Sequence, residues 1–332
     1  MVKFLRISIY SILVLFCFSG CFKDDIPIEP VEKSGVSIKN SIYTVQSFFD
    51  LSENKIVKSN PNESWDLAFE TQPDGWLIRI NYASLKGIYH TGVTDFNQTS
   101  FSPLKENWIY DASSGNPDST AVGNWKQYGS EGPQVLLIGT FDGDGYQSFK
   151  KLIFKTVNDT SYQFSYANLN GSNKVDKILK KDTAYNFIYY SLIKNDTVVI
   201  EPQKHAWDIL FTQYITTLFE SNGNPAYNYP VRGIYINPFK VEAVLDTVNS
   251  YSSITDLTIG SYSFSSIQDY IGYNWKSVEV NQSANSATYN VRKNYSYVIK
   301  DNEEQYYKLR FLSFVNDSLV VGYPKFETSK LK

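Results

Sequence analysis

The chain has 332 residues, enough for two domains of ordinary size that each bury a core. Its net charge of −3 and its pI near 5.6 give no basic field, which argues against nucleic acid or an anionic membrane surface as a partner. Both cysteines, Cys17 and Cys21, lie in the N-terminal segment. The rest of the chain therefore has no disulfide, no thiolate metal site and no cysteine nucleophile.

Residues 1–20 have the pattern of a lipoprotein signal peptide. Lys3 and Arg6 precede an apolar run over residues 7–18, which is too short for a membrane span. The run ends in Phe18-Ser19-Gly20-Cys21, which resembles the bacterial lipobox, in which the cysteine becomes the lipidated first residue. We therefore predict lipidation at Cys21; the alternative is an ordinary cleaved signal with a chance cysteine.

Residues 21–35 are predicted to form a flexible tether, because prolines and a glycine are scattered among charged residues. Within the tether, Lys23-Asp24-Asp25 resembles the surface-export signal of Bacteroidetes lipoproteins, although a solvated tether would also explain it. The expected location is the outer membrane, facing the cell surface. The chain would touch the membrane through the lipid anchor only.

The remaining chain is predicted to be all-β. Alternating apolar and polar runs are separated at short intervals by Gly, Asn, Asp and Pro. Residues 151–155 and 161–166 flank Asn158-Asp159 as a hairpin, and residues 306–311 and 319–323 flank Asn316-Asp317 in the same way. The prediction is an antiparallel first module over residues 36–170, a polar linker over 171–182 and a second module over 183–332.

The two modules are predicted to be copies of one another. Trp65-Asp66 recurs 142 positions later as Trp207-Asp208, Asn124-Trp125-Lys126 recurs 150 positions later, and Val157-Asn158-Asp159 recurs 158 positions later. A growing offset indicates loop insertions in the second copy, and a period this long indicates tandem domains rather than a solenoid. The ungapped alignment at an offset of 142 gives these pairs: Tyr43 with Tyr185, Phe48 with Tyr190, Leu51 with Ile193, Val57 with Val199 and Phe69 with Phe211.

The second copy reads WDILFTQYITTLF, YPVRGIYINP, IGYNWKSVEV and then YYKLRFLSFVND, and the first copy has WDLAFE, LKGIYHTGV, VGNWKQY and FKKLIFKTVND. This order resembles the HmuY family, haem-binding surface lipoproteins of Bacteroidetes, twice over and across most of the mature chain. The resemblance implies an all-β body without enzymatic activity. It also implies capture of haem or a related porphyrin for uptake through a TonB-dependent outer-membrane receptor.

Imidazole is a good ligand for haem iron, so His90 and His205 are the candidate haem-binding residues. The family's ligands lie downstream of the Trp-Asp strand, yet the second module has no histidine or methionine after His205. The run that matches Gly87-Ile88-Tyr89 in the second module ends in Ile236, so an isoleucine is the expected counterpart of His90. A tyrosinate ligand or an aromatic sandwich therefore stays open.

Four tryptophans, Trp65, Trp125, Trp207 and Trp275, are predicted to be structural core, with the aspartates of the Trp-Asp pairs fixing turns. The Asp-Gly repeat beginning at Asp142 is expected to be a hairpin turn. A calcium loop that began there would need an acid at its twelfth position, which is Ile153. No metal site is predicted.

The sequence favours a binding protein over an enzyme. It has no Gly-x-Ser-x-Gly elbow and no phosphate-binding loop, and no spacing selects a pair of its carboxylates. The alternative to haem capture is a non-catalytic surface protein that has lost haem ligation and binds a glycan or a protein. Tyrosines, tryptophans and loops such as Asn222-Gly223-Asn224 would then contact the sugar.

Overall fold

The computed structural model describes residues 35–103, 105–127, 132–142, 144–219, 222–281 and 286–331. Signal peptide, lipidation site and nearly all of the tether lie outside these residues. Gly35–Lys332 forms one compact unit. Its strands are β1 (Val36–Ser37), β2 (Val45–Asp50), β3 (Lys55–Pro61), β4 (Leu67–Glu70), β5 (Ile78–Ile80), β6 (Lys86–His90), β7 (Trp108–Ile109), β8 (Leu136–Phe141), β9 (Tyr146–Val157), β10 (Ser161–Asn168), β11 (Val175–Lys180), β12 (Phe187–Ser191), β13 (Asp196–Val198), β14 (Ile209–Phe219), β15 (Pro225–Ile236), β16 (Glu242–Asp246), β17 (Lys276–Asn281), β18 (Ser286–Val291), β19 (Ser296–Lys300), β20 (Tyr306–Val315) and β21 (Val321–Lys330).

The fold is all-β, as predicted, and the helices among the described residues are short 3₁₀ turns. These turns are Lys105–Asn107, Pro117–Ser119, Tyr251–Ser253 and Asp256–Ser261. The antiparallel sheets have the strand orders β7-β6-β8-β9-β10-β11, β1-β21-β20-β19-β16, β13-β12-β4-β5, β15-β14-β2-β3 and β17-β18. Both hairpins predicted around Asn-Asp turns are present, as β9–β10 and β20–β21. No described helix has the length and apolar character needed to cross a membrane.

The N-terminal hairpins of the two modules are exchanged. Hairpin β2–β3 of the first module pairs with β14 of the second, and hairpin β12–β13 of the second module pairs with β4 of the first. The segment predicted as a linker is also partly a strand, since Val175–Lys180 pairs with β10. Each module's sheet is therefore completed by the other module.

Three of the hydrophobic cores contain residues of the exchanged strands, because successive residues of a strand point to opposite faces. A first core lies within the first module and receives Tyr190 from β12. A second core lies within the second module and receives Phe49 from β2. The shared core lies between the modules and contains Phe48, Trp65, Ala68, Tyr189, Ile200, Trp207, Leu210, Tyr214, Val231 and Tyr235.

The exchanged strands correct the residue pairing made from the sequence. Phe48 and Tyr189 both pack in the shared core, so Phe48 corresponds to Tyr189 and not to Tyr190. In the same way, Leu51 corresponds to Leu192, an offset of 192 − 51 = 141, since both donate their N–H group to an aspartate of a Trp-Asp pair. The ungapped pairing was wrong by one residue here because one offset was carried across a length change before Trp207.

The pairing of Val57 with Val199 fails for the same reason. Val57 and Val198 pack against the shared core, whereas Val199 is exposed, as is Ile193, the residue that had been paired with Leu51. A strand that slips by one residue presents its other face to the core. Burial therefore fixes the correspondence.

Each aspartate of the Trp-Asp pairs accepts a hydrogen bond from the first turn residue of an exchanged hairpin. The N–H of Leu192 donates to Asp66 Oδ2 at 2.7 Å, and the N–H of Leu51 donates to Asp208 Oδ2 at 2.8 Å. Both carboxylates are buried. Each therefore satisfies a backbone donor at the end of the other module's strand.

Candidate functional site

A cleft of about 580 Å³ opens on the first module beside the end of β6. Its described lining consists of His90, Gly92, Thr94, Val122, Gly123, Asn124, Trp125, Gln127, Gly132, Pro133, Gln134, Leu136 and Phe154. This volume lies within the range of about 300–1,000 Å³ that is usual for small-molecule sites. The apolar and aromatic members can cover a flat ring, while the amides of the asparagine and the glutamines offer hydrogen bonds.

One wall of the cleft is the loop that leads from Ala121 to Trp125. Asp111 anchors it, because its Oδ1 accepts from Ala121 N at 2.7 Å and its Oδ2 accepts from Ile80 N at 2.9 Å. Burial raises the pKa of the Asp111 carboxyl, and the nearby charge of Arg79 opposes that shift. The sequence analysis did not identify Asp111, since an isolated aspartate in a loop carries no recognisable pattern.

Trp125 forms the aromatic wall. Its indole Nε1 donates to the carbonyl oxygen of Trp76 at 3.0 Å, and its ring packs at 5.7 Å from that of Phe154. The side chain is half-buried, with part of it against the first core. Of the tryptophans predicted to be core, Trp65, Trp207 and Trp275 are buried, whereas Trp125 lines the cleft.

His90 lies at the last position of β6 and borders the cleft. Its Nε2 is 2.8 Å from the carbonyl oxygen of Ala121, to which it can only donate, and its Nδ1 is 3.0 Å from Gln134 Oε1. Both ring nitrogens are thus engaged within the first module. Ligation of iron would require one of these neighbouring groups to move away from the ring.

The counterpart of His90 in the second module was misidentified. Ile236 pairs with Ile209 on β14 as Ile80 pairs with Leu67 on β4, so Ile236 corresponds to Ile80. Strand β6, which pairs with β8, corresponds to β16, which pairs with β19. The sequence alignment matched the Gly-Ile-Tyr residues of β6 and β15, although these two strands have different positions in the fold. No histidine occurs in β16 either.

His205 is not brought to the same site. Its Nδ1 is 3.3 Å from Asn302 Oδ1, and its ring packs edge-on against Phe239 with centroids 4.6 Å apart. It is exposed and is absent from the described lining of the cleft. The described residues therefore do not present the two histidines as a pair.

In the second module, the tryptophan of the Asn-Trp-Lys sequence is closed off from solvent. Trp275 is fully buried and stacks on Phe311 with ring centroids 4.0 Å apart. Hairpin β17–β18 follows at once, and its residues Tyr289 and Val291 pack against the second core. The segment between Trp275 and Asn316, which contains this hairpin, is eight residues longer than its counterpart in the first module, since the offset grows from 150 to 158.

The Asp142 segment is a hairpin turn between β8 and β9. Asp142 Oδ1 accepts from the N–H groups of Asp144 and Gly145, both at 3.1 Å. These hydrogen bonds hold the pKa of the Asp142 carboxyl below its usual range. Gly143 lies outside the described residues, and no cluster of His, Cys, Asp and Glu suited to a metal ion occurs within them.

Comparisons with solved structures find distant likenesses at low superposition scores. One is apo PinO from Porphyromonas gingivitis, at 8% identity over 90% of this chain and 97% of that chain, with a TM-score of 0.29. Another is an HmuY-like heme binding protein from Bacteroides vulgatus, at 12% identity over 89% and 90%, with a TM-score of 0.22. A third is the apo HmuY analog of Tannerella forsythia, at 11% identity over 90% and 95%, with a TM-score of 0.23. Scores this low carry no argument about a shared site.

The family comparison is decisive where the structural ones are not. The comparison with curated proteins finds no match. The family model described as HmuY protein matches twice in tandem, over residues 42–186 and 183–327, which together span most of the chain. Both segments include the Trp-Asp and Asn-Trp-Lys sequences of their module. The chain therefore belongs to the HmuY family and carries two tandem copies of its domain.

Proposed function

We propose that the protein binds haem or a related porphyrin in the cleft of the first module. The observation that carries this proposal is the aromatic cleft bordered by His90, in a chain of a family whose relatives include a protein described as heme binding. The proposed role is binding and transfer to a TonB-dependent outer-membrane receptor, without a chemical step.

The chemistry of the lining supports a flat apolar ligand. The half-buried Trp125 provides an aromatic surface, and the nearly buried side chains of Val122, Leu136 and Phe154 lie behind the cleft wall. Burial of a macrocycle against such a surface is favoured by roughly 25 cal/mol per Å² of apolar area removed from water. No lysine or arginine belongs to the described lining, so the ring rather than its acidic substituents would supply most of the binding energy.

The test is a visible-absorption titration of the purified protein with haemin, next to a fluorescence titration with metal-free protoporphyrin. We expect saturable binding of both. If His90 ligates iron, His90→Ala should weaken haemin binding at least tenfold and leave protoporphyrin binding unchanged. Because tenfold corresponds to about 1.4 kcal/mol, a single lost ligand is sufficient for this effect.

His205→Ala is the matched control, since it removes the other histidine at a position outside the described lining. It should leave both titrations unchanged. Absence of a Soret shift and of saturable haemin binding in the unmodified protein would overturn the proposal. If His90→Ala and His205→Ala weakened haemin binding equally, the effect would not be specific to His90, and His90 would not belong to the site.

We further propose that Cys21 is acylated and holds the protein on the outer face of the outer membrane. The support is the lipobox-like sequence with the charged residues behind it. Metabolic labelling with an azido fatty acid should label the protein but not a Cys21→Ser variant. Protease added to intact cells should digest a surface-exposed protein, and protection from protease would place it on the periplasmic side.

A second candidate function, glycan binding, rests on the outer part of hairpin β14–β15. Phe219, Tyr227 and Tyr229 are exposed there, close in sequence to Asn224, and aromatic faces stack well on sugar rings. A glycan array should then give signals that Tyr227→Ala with Tyr229→Ala abolishes, while haemin binding is unaffected. A silent array would leave haem capture as the better account.

A further inference from the structure

Two cations of the second module lie together without a carboxylate partner. Arg232 is on β15, and Lys276 is the first residue of β17. The Lys276 ammonium donates to the carbonyl oxygen of Arg232 at 2.6 Å. Neither side chain forms an ion pair with any carboxylate among the described residues. Buried charges are ordinarily paired, so this arrangement needs an explanation.

Aromatic rings surround both cations. Arg232 Cζ lies 4.1 Å from the ring centroid of Tyr43, while Lys276 Nζ lies 4.3 Å from the ring of Trp275 and 4.6 Å from that of Phe314. Cation–π contacts of this kind offset part of the cost of removing a charge from water. They supply no acceptor for the N–H donors, however.

Arg232 has such an unsatisfied donor. Its Nη1 donates to the carbonyl oxygen of Pro230 at 3.1 Å, but its Nε is buried and has no hydrogen-bond partner. A buried donor without an acceptor costs about 1–3 kcal/mol. An oxygen atom placed against this guanidinium would remove that cost.

The electrostatic surroundings also favour an anion. Burial and, to a smaller extent, the nearby charge of Arg232 lower the pKa of Lys276 to about 7. Since no described carboxylate raises the Lys276 pKa, an incoming negative charge would stabilise both cations at once. Tyr43, Arg232 and Tyr289 at this point are half-buried rather than fully buried.

We propose that Arg232 and Lys276 form a binding site for one oxyanionic group, a phosphate or a carboxylate. The planar guanidinium can donate two parallel hydrogen bonds to such a group, and the ammonium adds a third donor. The hydroxyl groups of Tyr43 and Tyr289, 3.1 Å apart, lie beside the same cations. The site shares no residue with the described lining of the cleft in the first module.

The test is calorimetric titration of the full chain with inorganic phosphate and, in parallel, with acetate, against chloride at equal ionic strength. We expect saturable binding of at least one of the two, and the tighter one identifies the group. Binding should be accompanied by proton uptake near neutral pH, seen as a dependence on the ionisation enthalpy of the buffer. This uptake follows because an anion raises the pKa of Lys276.

Arg232→Gln and Lys276→Met should each weaken this binding at least tenfold. The matched control is Lys126→Met, which changes the equivalent, exposed lysine of the first module and should have no effect. Arg232→Gln keeps the backbone acceptor of Lys276, so the test does not depend on the Lys276 variant folding. Absence of saturable binding by either anion, or binding that Arg232→Gln leaves unchanged, would overturn the site.

Discussion

The segments that follow the two Asn-Trp-Lys sequences show how the copies have diverged. In the first module, Trp125 is half-buried at the wall of a cleft that His90 borders. In the second module, Trp275 is fully buried in the second core, and hairpin β17–β18 packs against that core. The two modules therefore share the same strand arrangement, but the tryptophan of the Asn-Trp-Lys sequence is accessible from a cleft in the first module and closed off in the second. The proposed ligand site lies at this surface of the first module.

The Trp-Asp pairs differ in another way. Both aspartates accept an N–H from the turn of the exchanged hairpin, but Asp66 also forms an ion pair with Lys86 at 3.0 Å. Asp208 has Asp301 and Asp50 as charged neighbours, and burial is the largest cause that raises its pKa to about 7. The same hydrogen bond is thus made by a paired carboxylate in one copy and by a partly protonated one in the other.

The largest effect is expected from truncating the tryptophans of the shared core. Trp207→Ala should lower the free energy of unfolding by about 3–5 kcal/mol, because Trp207 is buried and packs at 4.9 Å from Phe48. Trp65→Ala should cost more, since the Trp65 indole also donates to Gln46 Oε1 at 3.0 Å. Urea denaturation measures both.

Phe219→Ala, at an exposed aromatic residue, is the control for these truncations and should change the free energy of unfolding by less than about 0.5 kcal/mol. A loss below about 1 kcal/mol for Trp207→Ala would contradict the shared core. A cost for Trp65→Ala below that of Trp207→Ala would contradict the role given to Gln46.

The fold class and the duplication could be predicted because they depend on local patterns. Strand alternation and the Asn-Asp turns at Asn158 and Asn316 specify hairpins from adjacent residues. The duplication could be recognised because the Trp-Asp and Asn-Trp-Lys sequences recur in the same order. The sequence Ile-Asn also recurs, at Asn81 and Asn237, and could have been used to align the two modules. Each of these buried asparagines donates to the carbonyl oxygen of its module's tryptophan.

The exchange of hairpins and the position of the cleft could not be predicted in this way. Pairing β2 with β4 or with β14 presents the same faces to the same kinds of neighbour, so alternation alone does not choose between them. The position of the cleft depends on the loop from Ala121 to Trp125, which forms one of its walls. Ala121 lies beside His90 because Asp111 holds that loop to β5. No sequence motif indicates that Asp111 contacts both Ala121 and Ile80, so this contact could not be predicted.

The second effect compares the two aspartates directly. Asp66→Asn should cost about 3 kcal/mol, because it leaves the largely buried Lys86 without its carboxylate. Asp208→Asn should cost less than about 1 kcal/mol at neutral pH, since Asn keeps an oxygen for the Leu51 N–H and no cation is lost. Urea denaturation at neutral pH measures the difference.

A Lys86→Met change added to Asp66→Asn should restore most of the lost stability, because the unpaired charge is then removed. Equal costs for the two single aspartate variants would show that the ion pair contributes nothing, and the contrast between the copies would be lost.

The third effect is a pH dependence located in the second module. Burial raises the pKa of Glu201 to about 8, although its Oε1 accepts the N–H of Phe187 at 2.8 Å. In the unfolded chain this carboxyl ionises near 4.5, so between these values the unfolded state binds fewer protons than the folded state. The free energy of unfolding should therefore fall as pH rises through that window, by up to about 1.4 kcal/mol per pH unit.

Asp208 should contribute in the same direction at lower pH. Glu201→Gln keeps the shape and the acceptor oxygen but cannot ionise, so it should flatten the decline of stability between about pH 5 and about pH 8. Urea denaturation across this range measures the slope. If Glu201→Gln kept the slope of the unmodified protein, the falling stability would have to come from other groups. The second module would then no longer be the pH-sensitive copy.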